Sequence, residues 1–261
     1  MQSLYGAIAN TNKKEIMVSI NDVYQKVLAL ANKEQRGYIT PQEFNLFADQ
    51  AQQEIFEQYF YDLNQSMRLP GNNAGHSDIV TNIEEKISLF ERYDKLVQVT
   101  NDFGDLKMSG VTDMYRLQMI RINYSGIEGG FKLAEEIQLN ELDKYGTSPL
   151  GNWSKKRPVY TRYSTSPGSP TIKVYPYPSP NSDSVYISYI RKPSKPIWGY
   201  EMVSEKALYN SDNSNDFDLH DSEQSELVYR ILALAGLAIQ KPELTQTAAA
   251  LEGAKVQQEK Q

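Results

Sequence analysis

No cysteine occurs among the 261 residues, so disulfides, thiolate metal sites and a thiol nucleophile are excluded, a composition that fits synthesis in a reducing cytoplasm. Histidine is nearly as scarce. His76 and His220 stand in separate polar stretches with no second ligand at metal spacing, and read as isolated surface residues. No apolar run approaches the roughly 20 residues that a membrane span needs, so no membrane partner is expected. The stretch Met1–Asn12 lacks the basic-then-apolar order of a secretory leader. The glycines between Gly104 and Gly130 lack both the Gly-Lys-Ser/Thr ending and the strand-GxGxxG-helix setting of a phosphate loop, and Gly-x-Ser-x-Gly is absent. The neighbouring carboxylates Glu84-Glu85 and Glu135-Glu136 point in different directions on a helix, as solvated faces do. Nothing in this inventory carries catalysis, and neither an enzyme nor a cofactor nor a metal site is expected.

Tyrosine is abundant, with 18 against 8 phenylalanines. Its large apolar face and polar tip suit protein interfaces. Charge is sorted along the chain. Residues 151–200 hold Lys155, Lys156, Arg157, Arg162, Lys173, Arg191, Lys192 and Lys195 against Asp183 alone, a net of +7. Residues 201–226 hold Glu201, Glu205, Asp212, Asp216, Asp218, Asp221, Glu223 and Glu226 against Lys206 alone, a net of −7. Equal and opposite blocks on one chain suit head-to-tail contact between copies, and Arg191, Lys192, Lys195, Asp216, Asp218 and Asp221 are the candidate subunit-interface residues. The overall charge of −6 argues against general nucleic-acid affinity.

Helical periodicity runs through Ser19–Ala31, with Ser19 as N-cap. Thr40-Pro41-Gln42-Glu43 is a capping box that opens a helix to about Leu63, with Phe44, Phe47, Ala51, Ile55 and Tyr59 on one face. Leu69-Pro70-Gly71 breaks the chain, and Ile79, Ile83, Ile87 and Phe90 mark a further amphipathic helix. Leu96–Val99 and Met114–Tyr124 read as strands, the second with a slip in its alternation, and Leu133–Leu142 as a helix. From Pro158 the texture becomes β-rich: Val159–Tyr163, Thr171–Tyr177 and Val185–Arg191 predict an antiparallel meander between Pro, Gly and Ser turns. Asn210–Asp221 reads as a polar loop, Glu223–Gln240 as a helix, and Thr245–Val256 as a second one after Lys241-Pro242. The predicted class is α+β, a helical bundle with a central antiparallel β-rich insertion and a C-terminal helix. Residues 1–150 and 201–261 form the helical core with short strands, and 151–200 the projecting Tyr/Pro-rich insertion.

Two motifs compete with these readings. Asn32–Glu43 has the outline of an EF-hand loop, with Gly37, Ile39 and Glu43 in place. Arg36 stands at the fifth loop position, where a ligand belongs, and Glu43 is accounted for by the capping box, so calcium is not expected there. The basic residues interleaved with aromatics across 151–200 resemble a single-strand nucleic-acid platform. The tyrosines, however, alternate with Val and Ile as cross-strand packing requires, and the acidic block that follows would compete with phosphate.

Three blocks carry a resemblance. The first is Ala31-Asn32-Lys33-Glu34-Gln35-Arg36-Gly37-Tyr38-Ile39-Thr40-Pro41-Gln42-Glu43-Phe44-Asn45, followed by Gln50-Ala51-Gln52. The second is Tyr189-Ile190-Arg191-Lys192-Pro193 with Trp198-Gly199-Tyr200. The third runs from Asn215-Asp216-Phe217-Asp218-Leu219-His220 through Ser222-Glu223 to Glu226-Leu227-Val228-Tyr229-Arg230-Ile231-Leu232. In this order they resemble the virion structural proteins of tailed bacteriophages, specifically the ring or adaptor proteins of the crAss-like phages and their relatives. The resemblance implies a head-to-tail connector component located in the virion and made in the host bacterial cytoplasm. It implies copies closed into a dodecameric ring below the portal, in contact with the portal protein, with neighbouring tail ring proteins and passively with packaged DNA in the channel. The alternatives are another tail or head structural protein, or a tail-associated hydrolase.

Overall fold

A computed structural model describes residues 17–33, 39–68, 74–101, 103–148, 151–166, 169–204, 206–238 and 250. The EF-like turn, the Leu69–Gly71 break and the segment 245–256 thus lie largely or wholly outside the described residues. In chain order the main elements are α1 (Ile20–Lys33), α2 (Pro41–Arg68), α3 (Ala74–Ser88), β1 (Glu91–Val97), β2 (Met114–Asn123), β3 (Lys132–Glu136), α4 (Leu142–Thr147), β4 (Val159–Ser166), β5 (Ser169–Tyr175), β6 (Ser184–Arg191), β7 (Tyr200–Val203), β8 (Lys206–Tyr209) and α5 (Gln224–Ala238). The protein is α+β. It divides into two compact units, one made of residues 1–89 and 193–261 and the other of 90–192.

The first unit is helical because its apolar residues recur at helical spacing behind strong start signals. Ser19 Oγ accepts the amide of Asp22 at 3.4 Å, and α1 buries Ile20, Val23, Tyr24, Val27 and Ala31. At the head of α2 the amide of Thr40 donates to Glu43 Oε2 at 2.9 Å, while the amide of Glu43 donates to Thr40 Oγ1 at 3.3 Å, the reciprocal capping box. Phe44, Ala48, Ala51, Ile55 and Tyr59 form the buried stripe of α2. It packs against α3 and α5, and α5 also packs against α1. Leu227, Val228, Ile231, Leu232 and Ala235 are buried on α5, so the helices share one core.

The second unit is a six-stranded sheet in the order β1-β6-β2-β3-β4-β5, with every pair antiparallel except β3–β4. Its two edges are joined by the hairpin 98–107. The amide of Lys107 donates to Gln98 O at 2.8 Å on one side, and the amide of Leu106 to Ile172 O at 2.9 Å on the other. The sheet therefore curls into a barrel whose β5 edge is bridged to the extension of β1 along this seam. Gly104 sits at the seam with φ +80°, and a Cβ there would lie 2.4 Å from Val174 O, so only glycine fits. Val97, Leu106, Ile120, Ile122, Tyr124, Ile172, Val174, Val185 and Ile187 fill the interior. Register shifts in β1 and twice in β2 account for the slip read in the alternation of 114–124.

Three expectations are corrected. Leu133–Leu142 is not a helix: Lys132–Glu136 is β3, and only Leu142–Thr147 is helical, after a 3₁₀ turn at Leu139–Glu141. The predicted meander is broken, because β4 pairs with β5 while β6 lies between β1 and β2. The β-rich part is also larger than 151–200, since β1, β2 and β3 belong to the same sheet and the unit starts at Phe90.

Candidate functional site

In the helical unit two extended segments, 193–199 and 214–221, are clasped to each other and to α2 by side-chain amides and carboxylates. Asn45 on α2 accepts the Trp198 amide at 2.8 Å and donates to Trp198 O at 3.3 Å, so that it imitates a strand neighbour. Gln52, about two turns further along the same face of α2, donates to Ser194 O at 2.8 Å and accepts the amide of Asp218 at 2.9 Å. The Asp218 carboxylate receives the amide and the hydroxyl of Ser194, each at 2.6 Å. Asn215 and Ile197 exchange backbone bonds at 2.8 and 2.9 Å, and Asp216 accepts the amide of Ile20 at 2.9 Å, which ties the start of α1 to the clasp. The indole of Trp198 is buried here, donating to Asn21 Oδ1 at 3.2 Å and lying 4.1 Å from the Tyr24 ring.

This arrangement redistributes the acidic block. Asp218, Glu223 and Glu226 are buried. Glu223 pairs with Lys86 at 2.5 Å and Glu226 with Arg230 at 2.7 Å, while Arg230 also reaches Gln58. Of the three acidic interface candidates, Asp216 caps a helix and Asp218 is interior, and only Asp221 is exposed. His220 is a local cap, its Nδ1 accepting the amide of Ser222 at 3.3 Å. The basic block is partly matched within the barrel unit. Arg157 meets Glu135 at 3.2 Å and Arg162 meets Glu136 at 2.8 Å. Arg191 is buried with its guanidinium 5.6 Å from the centre of the Phe90 ring. Lys192 and Lys195 are exposed, and the backbone carbonyl of Lys195 accepts Asn215 Nδ2 at 2.6 Å. The structure thus gathers Lys195, Asp216 and Asp218 at the clasp, with Lys192 and Arg191 in the other unit.

Five tyrosines of the barrel are held in their neutral form. Burial, followed by the hydrogen bond its hydroxyl donates to Asp105, pushes Tyr163 up to about 12. Burial likewise raises Tyr124, Tyr160, Tyr175 and Tyr189 above the ordinary phenol range. Lys173 lies among the rings of Phe103, Tyr175 and Tyr177, 6.0, 5.8 and 5.4 Å from their centres. Lys173 is therefore held against these rings by cation–π contacts.

Two surfaces that sequence reasoning passed over present apolar groups to solvent. On the outside of the barrel, Leu96, Tyr186, Arg121 and Leu133 are direct partners across β1, β6, β2 and β3. Leu96 is 56% and Leu133 64% exposed. Tyr93 and Phe131 flank the row, with their ring centres 4.6 and 5.2 Å from the Arg121 guanidinium, and Arg121 is ion-paired with Asp94. In the helical unit the β7–β8 hairpin exposes Met202 at 63%, Val203 at 50% and Leu208 at 52%. The alternation in Tyr200-Glu201-Met202 was the available signal for the hairpin. No comparable signal marked Leu133, whose spacing from Ile137 mimics a helix.

Among the described residues no group of three or more His, Cys, Asp or Glu side chains is placed to hold a metal ion, and no helix is long and apolar enough to cross a membrane. Comparison with protein-family models matches none to this chain, and comparison with curated proteins finds no match.

Proposed function

We propose that this protein is a structural virion subunit of a tailed bacteriophage, a component of a dodecameric ring that joins portal to tail around the DNA channel. The observation that carries the reading is the segregation of charge by unit. Residues 90–192 hold fourteen Lys and Arg against eleven Asp and Glu, a net of +3, and the remainder hold thirteen against twenty-two, a net of −9. A closed heterologous ring sets one surface of each copy against a different surface of the next, and units of opposite charge favour that pairing over like-to-like contact. The blocks that resemble crAss-like ring proteins also have a structural use. They contain Asn45, Gln52, Trp198, Asn215, Asp216 and Asp218, the residues of the clasp. On this reading the mechanism is assembly: a preformed, polar-locked helical body and a rigid barrel present fixed surfaces to neighbouring copies and to the rings above and below.

Electron microscopy of the purified protein, alone and mixed with portal, tests the proposal. Rings are expected. A protein that remains monomeric in both preparations would overturn it.

A further inference from the structure

We infer that the exposed β7–β8 hairpin of one copy docks on the Leu96–Tyr186–Arg121–Leu133 row of the next, an inference that rests on the self-assembly reading above. Each surface needs a partner for its own physical reason. A two-stranded ribbon is marginal by itself, and this one carries Met202 and Ala207 on one face and Val203 and Leu208 among its other outward positions. Its base is anchored, where Trp198 stacks on Tyr200 at 5.8 Å and lies 5.9 Å from Tyr209. The barrel row lies on the outer face, because the adjacent register row, Ile187–Ile120–Ala134, is buried inside. Exposed Tyr93, Leu96, Phe131 and Leu133 set around the half-buried Tyr186 and Arg121 mark an interaction surface rather than ordinary scatter.

The occupant follows from charge and from symmetry. The hairpin, whose exposed Glu201 and Lys206 offset each other, belongs to the unit of net −9, while the row belongs to the unit of net +3. The two apolar surfaces differ in shape, one a projecting ribbon and the other a barrel wall. Contact between them is therefore heterologous and propagates from copy to copy. Arg121 fits the centre of such a contact. Its guanidinium is already fixed between two aromatic rings and paired with Asp94, so little side-chain freedom remains to be lost on docking.

The natural absence of cysteine makes the test direct. The full chain is prepared with Leu133→Cys, with Met202→Cys, and with both, and treated with a short bis-maleimide. The double variant should give a ladder of covalent multimers. A mixture of the two single variants should stop at dimers, and each single variant alone should give none. Leu133→Asp or Met202→Asp, both at exposed positions, should raise the concentration needed for half-assembly by roughly tenfold or more, as loss of an interface anchor does, with an unchanged circular-dichroism spectrum. Assemblies that form without a ladder, or a single variant that dimerises by itself, overturn the docking and leave the ring reading standing. A wild-type chain that never assembles overturns both.

Discussion

Two hydrogen bonds from Ser194, its amide and its hydroxyl, reach one carboxylate oxygen of Asp218 at 2.6 Å each. The amide of Asp218 is in turn held by Gln52, in a bond 2.9 Å long. A short window of sequence counts this aspartate as one more negative charge, although it is interior. Spacing cannot separate the two cases, because the partner that buries Asp218 lies 24 residues away and the one that holds its amide 166 away. The same distance in sequence hid the roles of Asp216 and Glu223. Asp218→Ala should therefore lower stability by about 2 kcal/mol, as loss of hydrogen bonds to a charged group does, and Asp218→Asn should recover part of it. Asp221→Ala, at an exposed position, should stay within about 0.5 kcal/mol of wild type. Urea denaturation followed by circular dichroism measures all three. Equal midpoints for Asp218→Ala and Asp221→Ala would show that the clasp contributes nothing. Charge reversal at the surface is accordingly best tried at Asp221, Lys192 and Lys195, since reversing Asp216 or Asp218 would disrupt the fold before it reported on any interface.

Helix starts were legible because their chemistry is local. The Thr40–Glu43 box closes over three residues and is formed as its sequence predicts, with the hydroxyl of Thr40 also donating to Glu43 Oε2 at 2.8 Å. These bonds, backbone first, hold the Glu43 carboxyl below its ordinary range, so the glutamate serves as a cap. Thr40→Ala should cost about 1 kcal/mol through the lost cap, and the loss should be the same with calcium or with chelator. A melting temperature of the wild type that rises with micromolar calcium would show a ligand loop instead. Short strands were less legible. β3 has five residues with Ala134 inward and Leu133 outward. An exposed leucine there reverses the pattern that alternation relies on, while Leu133, Ile137 and Leu142 fall near helical spacing. The four-residue strands of the β7–β8 hairpin left a little more to read, the short alternation at Tyr200-Glu201-Met202.

The unit boundary is a property of pairings that cross long stretches of chain. The change of texture at Pro158 is real, since β4 and β5 begin there, but their sheet starts at β1 and needs β6 between β1 and β2. Those partners are nearly a hundred residues apart: Leu96 faces Tyr186, and Val97 faces Val185. No periodicity in either segment records the other. Replacing residues 158–193 with a flexible linker would remove β4, β5 and β6 together. β1 and β2 would then lose β6, the strand that joins them, with β2 left paired to β3 alone, and Val97, Ile120 and Ile122 would meet water. That variant should aggregate or melt without cooperativity. Replacing the whole of 90–192 should instead leave intact the separate core of Phe44, Ile55, Trp198, Leu227 and Ile231. It should keep the helical circular-dichroism signal and a cooperative melt. The comparison is decisive in one direction. If the shorter replacement melts as cooperatively as the longer one, the strands from 158 onward do not share a folding unit with β1 and β2, and the barrel is not the second domain of the chain.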